Sequence, residues 1–188
     1  VRANSPSDDP SLFPETPFGE IRFGKQTWYG PLSGIWQSVR LERRIKAYIT
    51  RVRISADLAS GEVAAPIIFN TIVPSDRTAV VSIIAPNGQV DVKELFDLPA
   101  GLQEFDARLR VSPVSPWSPS DPLLYRLEIE IRLKDQMLDH FAESFGFRTF
   151  EARDGRFYLN GEPLYLRAAL HQDYYPDTIC TTPSVEFL

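Results

Sequence analysis

The polar side chains best suited to chemistry stand together near the C-terminal end, at His171, Gln172 and Asp173. A carboxylate accepts hydrogen bonds, an amide side chain donates and accepts them, and a neutral imidazole does either. By themselves, these three residues indicate only a polar loop that makes hydrogen bonds. What the loop binds depends on the elements that hold it in place.

Other reactive side chains stand alone in the sequence. Cys180 has no histidine at a motif spacing, so we interpret it as an inert thiol. Trp28, Tyr29 and Trp36 lie in a Gly-rich segment, and we interpret them as packing groups rather than as a platform for sugar stacking. The sequence predicts neither a metal nor a cofactor, because the loop acids lack the spacing of a Ca²⁺ site. These acids are Asp8, Asp9, Asp76, Asp121 and Asp177.

Composition and charge narrow the class of protein. The 188 residues are 43% hydrophobic and carry a formal net charge of -5 with no basic stripe, which argues against nucleic-acid binding. No apolar run approaches the roughly 18 residues that cross a membrane. The single cysteine excludes an internal disulfide framework and, together with the lack of a signal peptide in this chain, favours the cytoplasm.

Period-two alternation of apolar and polar side chains runs through most of the chain and predicts strands. In the strand that starts near Ile45, we expect Tyr48 to point inward together with Val52 and Ile54. The most regular predicted strand is 123–133, in which arginine and glutamate alternate with apolar residues. In chain order, the predicted strands are 35–43, 45–58, 64–73, 78–85, 89–95, 102–111, 123–133 and 138–151.

Turn signals separate these strands. Asn160-Gly161 predicts a two-residue type I′ turn, because both of its residues tolerate positive φ, and Asn87-Gly88 predicts another turn. We interpret Arg153-Asp154-Gly155 as a joint between domains. No segment has a convincing 3.6-residue period, so no helix is predicted. The strands from residue 45 onward number about seven in roughly 105 residues and contain no disulfide. This pattern predicts an immunoglobulin-like sandwich.

Three segments together resemble glycoside hydrolase family 2, the group of β-galactosidases, β-glucuronidases and β-mannosidases. Residues 24–42 resemble the segment that closes the N-terminal jelly-roll domain of that family. Residues 117–125, Trp-Ser-Pro-Ser-Asp-Pro-Leu-Leu-Tyr, are similar to its Trp-Ser-Pro loop and the following strand. Residues 145–148, Phe-Gly-Phe-Arg, followed by 157–167, resemble the end of the sandwich and the entry to the catalytic barrel.

The resemblance implies an all-β chain, in which an immunoglobulin-like antiparallel β-sandwich has flanking pieces of a jelly-roll domain and of a (β/α)8 barrel. The expected domains are the end of the jelly roll (1–44), the sandwich (45–152), and the hairpin and first strand of a truncated barrel (153–188), with that strand at 164–170. The family's catalytic pair of glutamates would lie on later barrel strands. We therefore assign no catalytic residue and expect this chain alone to be inactive.

Substrate contacts and partners also follow from the resemblance. Active sites of such barrels form at the C-terminal ends of the strands. His171, Gln172 and Asp173 are therefore expected to contact the hydroxyl groups of a β-glycoside in the intact enzyme. We expect no nucleic-acid or membrane partner, and self-association through the edges of truncated domains. The alternative is a stand-alone immunoglobulin-like carbohydrate-binding or protein-interaction module, which explains the strands but not the hairpin.

Overall fold

The computed structural model describes residues 35, 38–170, 175, 178, 182–184, 186 and 187. Within these residues all regular structure is β, with no helix and hence none able to span a membrane. The predicted all-β fold class is confirmed. The strands are β1 (Ile49–Val52), β2 (Ser55–Ala56), β3 (Glu62–Phe69), β4 (Arg77–Ile84), β5 (Val90–Leu98), β6 (Glu104–Arg110), β7 (Tyr125–Leu133), β8 (Gln136–Phe145), β9 (Phe150–Arg153), β10 (Arg156–Leu159) and β11 (Glu162–Leu164).

The first eight strands form two antiparallel sheets. One sheet has the order β5-β4-β7-β8. In the other, β3 is central and pairs with β6 along one side. On its other side, β1 pairs with the end of β3 near Phe69, and β2 pairs with the start near Val63. β1 and β2 are thus two halves of one edge.

The two sheets share a single hydrophobic core. Every second residue of β3 is buried, and the same alternation recurs in β7. These side chains meet between the sheets because successive residues of a strand point to opposite faces. The core is that of a β-sandwich, as the sequence predicts. Its largest fully buried side chains include Phe69, Phe147, Ile67, Ile83, Leu98, Leu127, Ile129 and Ile131.

The first strand departs from its predicted pattern at one residue. Tyr48, expected to point inward, is only half-buried, whereas Ile49 is buried. The pairing with β3 shifts between Ile49 and Arg51, which indicates a β-bulge. One extra residue exchanges the inner and outer faces of a strand. The prediction is therefore wrong for Tyr48 and confirmed for Val52 and Ile54, which pack against the core.

The last predicted strand, 138–151, is two strands in the structure. β8 ends at Phe145 and β9 begins at Phe150. Between them, Phe147 is fully buried and forms a parallel bridge with Pro116. The ladder with β7 ends because the chain turns here to pair with a loop instead of a strand.

A three-stranded antiparallel sheet in the order β11-β10-β9 follows the sandwich, and two-residue turns connect its strands. Asn160 and Gly161 have φ of 52° and 83°, as a type I′ turn requires, so that prediction is confirmed. Asp154 and Gly155 have φ of 51° and 70°. The predicted joint at this point is therefore a second hairpin turn.

Two predicted strands near the chain ends are not strands where the structure describes them. The described residues within 35–43 are irregular, and Val39 and Leu41 are exposed. Residues 165–170, most of the predicted first barrel strand, are irregular as well, with Tyr165 exposed. A strand needs a neighbour for its backbone hydrogen bonds. No described segment supplies that neighbour to either stretch. The strand predictions are therefore wrong for the described residues of 35–43 and for 165–170, whereas Leu164 lies in β11.

Internal contacts divide the chain into two compact units, Val1–Arg43 and Arg44–Leu188. All of the described strands belong to the second unit. The polar site described next lies within that unit.

Candidate functional site at the sandwich junction

The residues predicted to bind substrate lie outside the described residues, so their role stays a prediction. Nearby, Tyr175 is described: its side chain is buried, and its ring meets that of Phe187 edge to face with 5.6 Å between centroids. Ten residues that the sequence analysis discusses lie outside the described residues: His171, Gln172, Asp173, Cys180, Trp28, Tyr29, Trp36, Asp8, Asp9 and Asp177.

The best-defined polar site lies where the sandwich passes into the three-stranded sheet. Trp117, in the loop between β6 and β7, donates its backbone N–H to the carbonyl oxygen of Phe147 at 2.9 Å. The parallel bridge between Pro116 and Phe147 lies beside this bond. These contacts hold the loop against the chain that leaves β8.

The side chain of Trp117 is half-buried and contacts two residues that follow β8. The guanidinium carbon of Arg148 lies 4.9 Å from the centre of the indole ring, within the range of a cation–π interaction. Gly146 approaches so closely that an added Cβ would lie 3.0 Å from the Cβ of Trp117. A side chain at position 146 would therefore require Trp117 to shift by a few tenths of an ångström.

An aromatic cluster supports the same loop from inside the sandwich. The ring of Tyr125 stacks on Phe145 at 5.8 Å and meets Phe147 edge to face at 5.1 Å. Its hydroxyl accepts a hydrogen bond from the backbone N–H of Ser115 at 2.9 Å. Tyr125 thus buries its ring in the core, satisfies its polar tip, and ties the loop to β7.

Asn160 connects this loop to the three-stranded sheet. Its Nδ2 donates to the carbonyl oxygen of Trp117 at 2.9 Å, and its Oδ1 accepts from the backbone N–H of Thr149 at 3.0 Å. Its own backbone N–H donates to the carbonyl oxygen of Thr149 at 2.9 Å. Sequence reasoning identified Asn160 only as a turn residue, because nothing in its local pattern pointed to a partner 43 residues earlier.

The three-stranded sheet has two unlike faces. On one face, Phe150 and Phe157 stack with centroids 5.5 Å apart and are 52% and 40% exposed. On the other, the guanidinium carbon of Arg153 lies 4.4 Å from the ring centre of Tyr158, and its NH1 lies 4.0 Å from a carboxylate oxygen of Glu151. Alternation places the two phenylalanines on the face opposite these charged groups. Glu162, paired with Leu159, lies at the β11 edge of the apolar face. The described residues leave the apolar face open.

Two carboxylates of neighbouring strands share one arginine. Arg108 lies 2.8 Å from Oε1 of Glu62 and 2.9 Å from Oδ2 of Asp106. The hydrogen bond to Asp106 and the charge of that group, followed by the charge of Glu62, raise the pKa of Arg108 above its ordinary value. The two acids are 47% and 41% exposed. They therefore lack the burial that prepares a carboxyl group as a general acid.

Other acids shape turns. Oδ1 of Asp57 accepts from the hydroxyl of Ser60 at 2.6 Å and from its backbone N–H at 2.7 Å. These two bonds, the hydroxyl first, lower the pKa of Asp57 below its ordinary value. Asp76 accepts from the backbone N–H of Ala100 at 2.9 Å. In the described part of the chain, no three His, Cys, Asp or Glu side chains are grouped as a metal site requires.

An open cleft of about 590 Å³ lies beside the start of β4 and the end of β5. Its lining mixes charges of both signs and contains no aromatic ring, so it lacks the apolar enclosure of a typical ligand pocket. The lining residues are Asp76, Arg77, Thr78, Asp97, Leu98, Pro99, Leu133 and Lys134.

The family model for glycosyl hydrolases family 2 matches residues 44–148, more than half of the chain. The chain belongs to glycosyl hydrolase family 2. The matched residues include all the sandwich strands, β1 to β8, together with Trp117 of the junction. The resemblance found in the sequence is thereby confirmed.

Individual curated relatives match at low identity over most of this chain. A beta-galactosidase of Thermoanaerobacter pseudethanolicus is 28% identical over 152 residues, which are 79% of this chain and 20% of that protein. A putative beta-glucuronidase of Formosa agariphila is 27% identical over 165 residues, 86% of this chain and 19% of that protein. This chain thus spans about a fifth of the length of these curated relatives.

Solved structures show the same fold. The apo structure of Bacteroides uniformis beta-glucuronidase 3 matches with a TM-score of 0.59 at 23% identity, over 75% of this chain and 18% of that chain. A Parabacteroides merdae beta-glucuronidase with glycerol in its active site has a TM-score of 0.59 at 21% identity, over 76% and 19% of the two chains. At this identity the likeness shows the fold alone.

Proposed function

We propose that this chain is the non-catalytic sandwich of a retaining β-glycosidase, which hydrolyses the O-glycosyl bond of a β-glycoside. The observation that carries the proposal is the family 2 match across every sandwich strand. Relatives named as galactosidase and as glucuronidase both support the reaction class. Because the two names differ in the sugar, the proposal concerns β-glycosides as a class.

Retaining hydrolysis needs two carboxyl groups about 5 to 5.5 Å apart, one as nucleophile and one as acid and base. Glu62 and Asp106 do not suit these roles, since both are exposed and both bind Arg108. The buried carboxylate of Asp139 is occupied by an arginine and a backbone N–H. The proposal therefore assigns the catalytic pair to residues other than those described here.

The proposal also includes contacts from His171, Gln172 and Asp173 to sugar hydroxyl groups. A carboxylate accepts from two neighbouring hydroxyls at once, and such charge-assisted bonds are stronger than neutral ones. Asp173 is therefore expected to contribute the most of the three. Its loss should lower substrate affinity without changing the fold of the sandwich.

The junction supports a bracing role for the sandwich. The whole face of the three-stranded sheet that carries Phe150 and Phe157 covers only about 175 Å², at roughly 4.8 Å between strands and 3.3 Å per strand residue. An interface between free proteins needs about 800 Å² from each partner. A surface in the same polypeptide is held at high effective concentration and can use a smaller contact. The face therefore suits a catalytic domain of the same polypeptide.

Side-by-side assays test the reaction class and the non-catalytic role. The complete open reading frame that contains this sequence is expressed beside the 188-residue chain. Both products are incubated with nitrophenyl β-galactoside, β-glucuronide and β-mannoside, and the first anomer released is identified by NMR. We expect the reading-frame product to release the β-anomer and the 188-residue chain to be inactive. Inactivity of both products overturns the reaction class, and activity of the 188-residue chain overturns the non-catalytic role.

A matched pair of substitutions tests the substrate contacts in the active product. Asp173→Asn removes a charged acceptor, whose hydrogen bonds contribute about 1.5 to 3 kcal/mol. That corresponds to a fall in kcat/KM of roughly tenfold to a hundredfold. Asp177→Asn, four residues away in the same loop sequence, is the control and should change kcat/KM less than about twofold. Equal effects of the two substitutions would remove Asp173 from the proposed site.

A further inference from the structure

The three-stranded sheet contains two hairpin turns that can be compared directly. Each has two residues, Asp154-Gly155 and Asn160-Gly161, and in each both residues have positive φ. Asn and Asp are the non-glycine residues that tolerate this conformation best. The need for positive φ therefore accounts equally well for both residue types.

The side chains of the two turns are used differently. With the described residues, the side chain of Asp154 makes no hydrogen bond or ion pair. Asn160 donates from Nδ2 to Trp117 and accepts at Oδ1 from Thr149. Turn geometry does not require either of these bonds, so they report a second role for Asn160.

The partner of Asn160 is itself immobilised by the sandwich. The backbone N–H of Trp117 bonds to Phe147, its indole faces the guanidinium of Arg148, and Gly146 packs on its Cβ. Phe147 is fully buried in the sandwich core, and Tyr125 of β7 binds Ser115 of the same loop. The carbonyl oxygen that Asn160 binds is therefore fixed relative to that core. We propose that Asn160 is a positioning residue, which locks the three-stranded sheet to the sandwich through Trp117 and Thr149.

The lock determines the direction in which the chain leaves the sandwich. Only residues 146–149 join β8 to β9. Thr149 belongs to this linker, so its bonds to Asn160 attach the sheet to the linker. The bond from Asn160 to Trp117 attaches the sheet to a different segment, the loop between β6 and β7. Two anchor points define an orientation, and one leaves rotation free. If the chain has the proposed function, the lock sets the orientation in which the sheet presents its apolar face to the catalytic domain.

The test uses the 188-residue chain and three variants. Asn160→Gly keeps positive φ and removes both side-chain bonds. Asp154→Gly makes the same change of residue type in the neighbouring turn and serves as the control. Asn160→Asp keeps an acceptor for Thr149 but places a carboxylate oxygen, which cannot donate, opposite the carbonyl of Trp117.

Two NMR measurements separate orientation from stability. Residual dipolar couplings give the angle between the sandwich and the three-stranded sheet, and amide exchange reports the Thr149 N–H. We expect Asn160→Gly to lose the common alignment of the two sheets. We also expect it to speed exchange at Thr149 by roughly five- to tenfold, for a hydrogen bond of roughly 1 to 1.5 kcal/mol. Asn160→Asp should lose the alignment yet retain protection at Thr149. Asp154→Gly should change neither.

Neither NMR measurement depends on enzyme activity. A negative result for Asn160 is therefore distinguishable from a negative result for the proposed function. If Asn160→Gly keeps the alignment of the parent chain, Asn160 has no positioning role. If Asp154→Gly loses alignment to the same degree, the effect belongs to turn flexibility and the proposal is overturned. Circular dichroism of each variant shows whether it is folded, so that only folded proteins are compared.

Discussion

Asp139 is the buried charged side chain of the described sandwich, and its removal has a calculable cost. It lies on β8, at the edge of one sheet. Its Oδ2 accepts from the backbone N–H of Ile49 on β1, in the other sheet, at 2.7 Å. Its Oδ1 accepts from NH1 of Arg44 at 2.9 Å. Asp139 therefore joins the two sheets where their edges meet.

The cost of Asp139→Ala has two parts. The buried N–H of Ile49 loses its acceptor, which destabilises by about 1 to 3 kcal/mol. The side chain of Arg44 is 37% exposed, so solvent screening limits the ion pair to about 0 to 1 kcal/mol. The two parts add to about 1 to 4 kcal/mol of unfolding free energy. The midpoint of roughly 2.5 kcal/mol lowers Tm by roughly 5 to 10 °C for a chain of this size. Arg44→Ala keeps the bond to Ile49 and should cost about 1 kcal/mol or less.

Urea unfolding followed by circular dichroism at pH 7 measures these free energies. Asp91→Ala, an exposed acid on β5, is the matched control and should change stability by less than about 0.5 kcal/mol. The reasoning is refuted if Asp139→Ala is no worse than the control. It is also refuted if Arg44→Ala costs as much as Asp139→Ala, because the ion pair would then outweigh the backbone bond.

Three further predictions concern the turns and the core. Gly61→Ala should destabilise more than Gly88→Ala in urea unfolding: both have positive φ, but only at Gly61 would the new Cβ overlap a backbone carbonyl oxygen. Leu127→Ala should cost about 2 to 5 kcal/mol and Leu95→Ala about 0.5 or less, since the first is fully buried and the second is exposed; similar costs would contradict the inward face of β7. The pKa of Asp57 is lowered by hydrogen bonds in its turn, so its contribution to stability is present above the unfolded pKa of about 3.9 and is lost as pH falls through the folded value. The stability gap between the parent chain and Asp57→Ala should therefore close between pH 5 and pH 2.5, and a constant gap would argue against this assignment.

The sandwich could be predicted from sequence because burial leaves a local record. Alternating apolar residues in β3 and β7 correspond to alternating burial, and Asn160-Gly161 forms the turn its residue types favour. The bulge near Ile49 could not be predicted from this alternation. One extra residue in the strand changes the side of the sheet to which Tyr48 points, and the adjacent sequence gives no sign of it. The boundaries of the domains remain predictions.

The polar junction could not be predicted in the same way. Asn160 and Trp117 are distant in sequence, and their bond depends on how a loop of the sandwich meets the following sheet. Asp139 is similar, because its burial depends on Ile49 arriving from the other sheet. The predicted strands at 35–43 and 164–170 are wrong over most of their described residues for the converse reason: apolar residues alone do not make a strand without a neighbour to pair with.

Trapping of the covalent intermediate tests the central claim most directly. A 2-deoxy-2-fluoro β-glycoside of the sugar that the reading-frame product hydrolyses is used to label that product, and peptide mass spectrometry locates the labelled carboxylate. A retaining enzyme with a non-catalytic sandwich predicts a label on one glutamate outside this 188-residue sequence. A label on Glu62, Asp106 or any other acid of this chain would contradict the account.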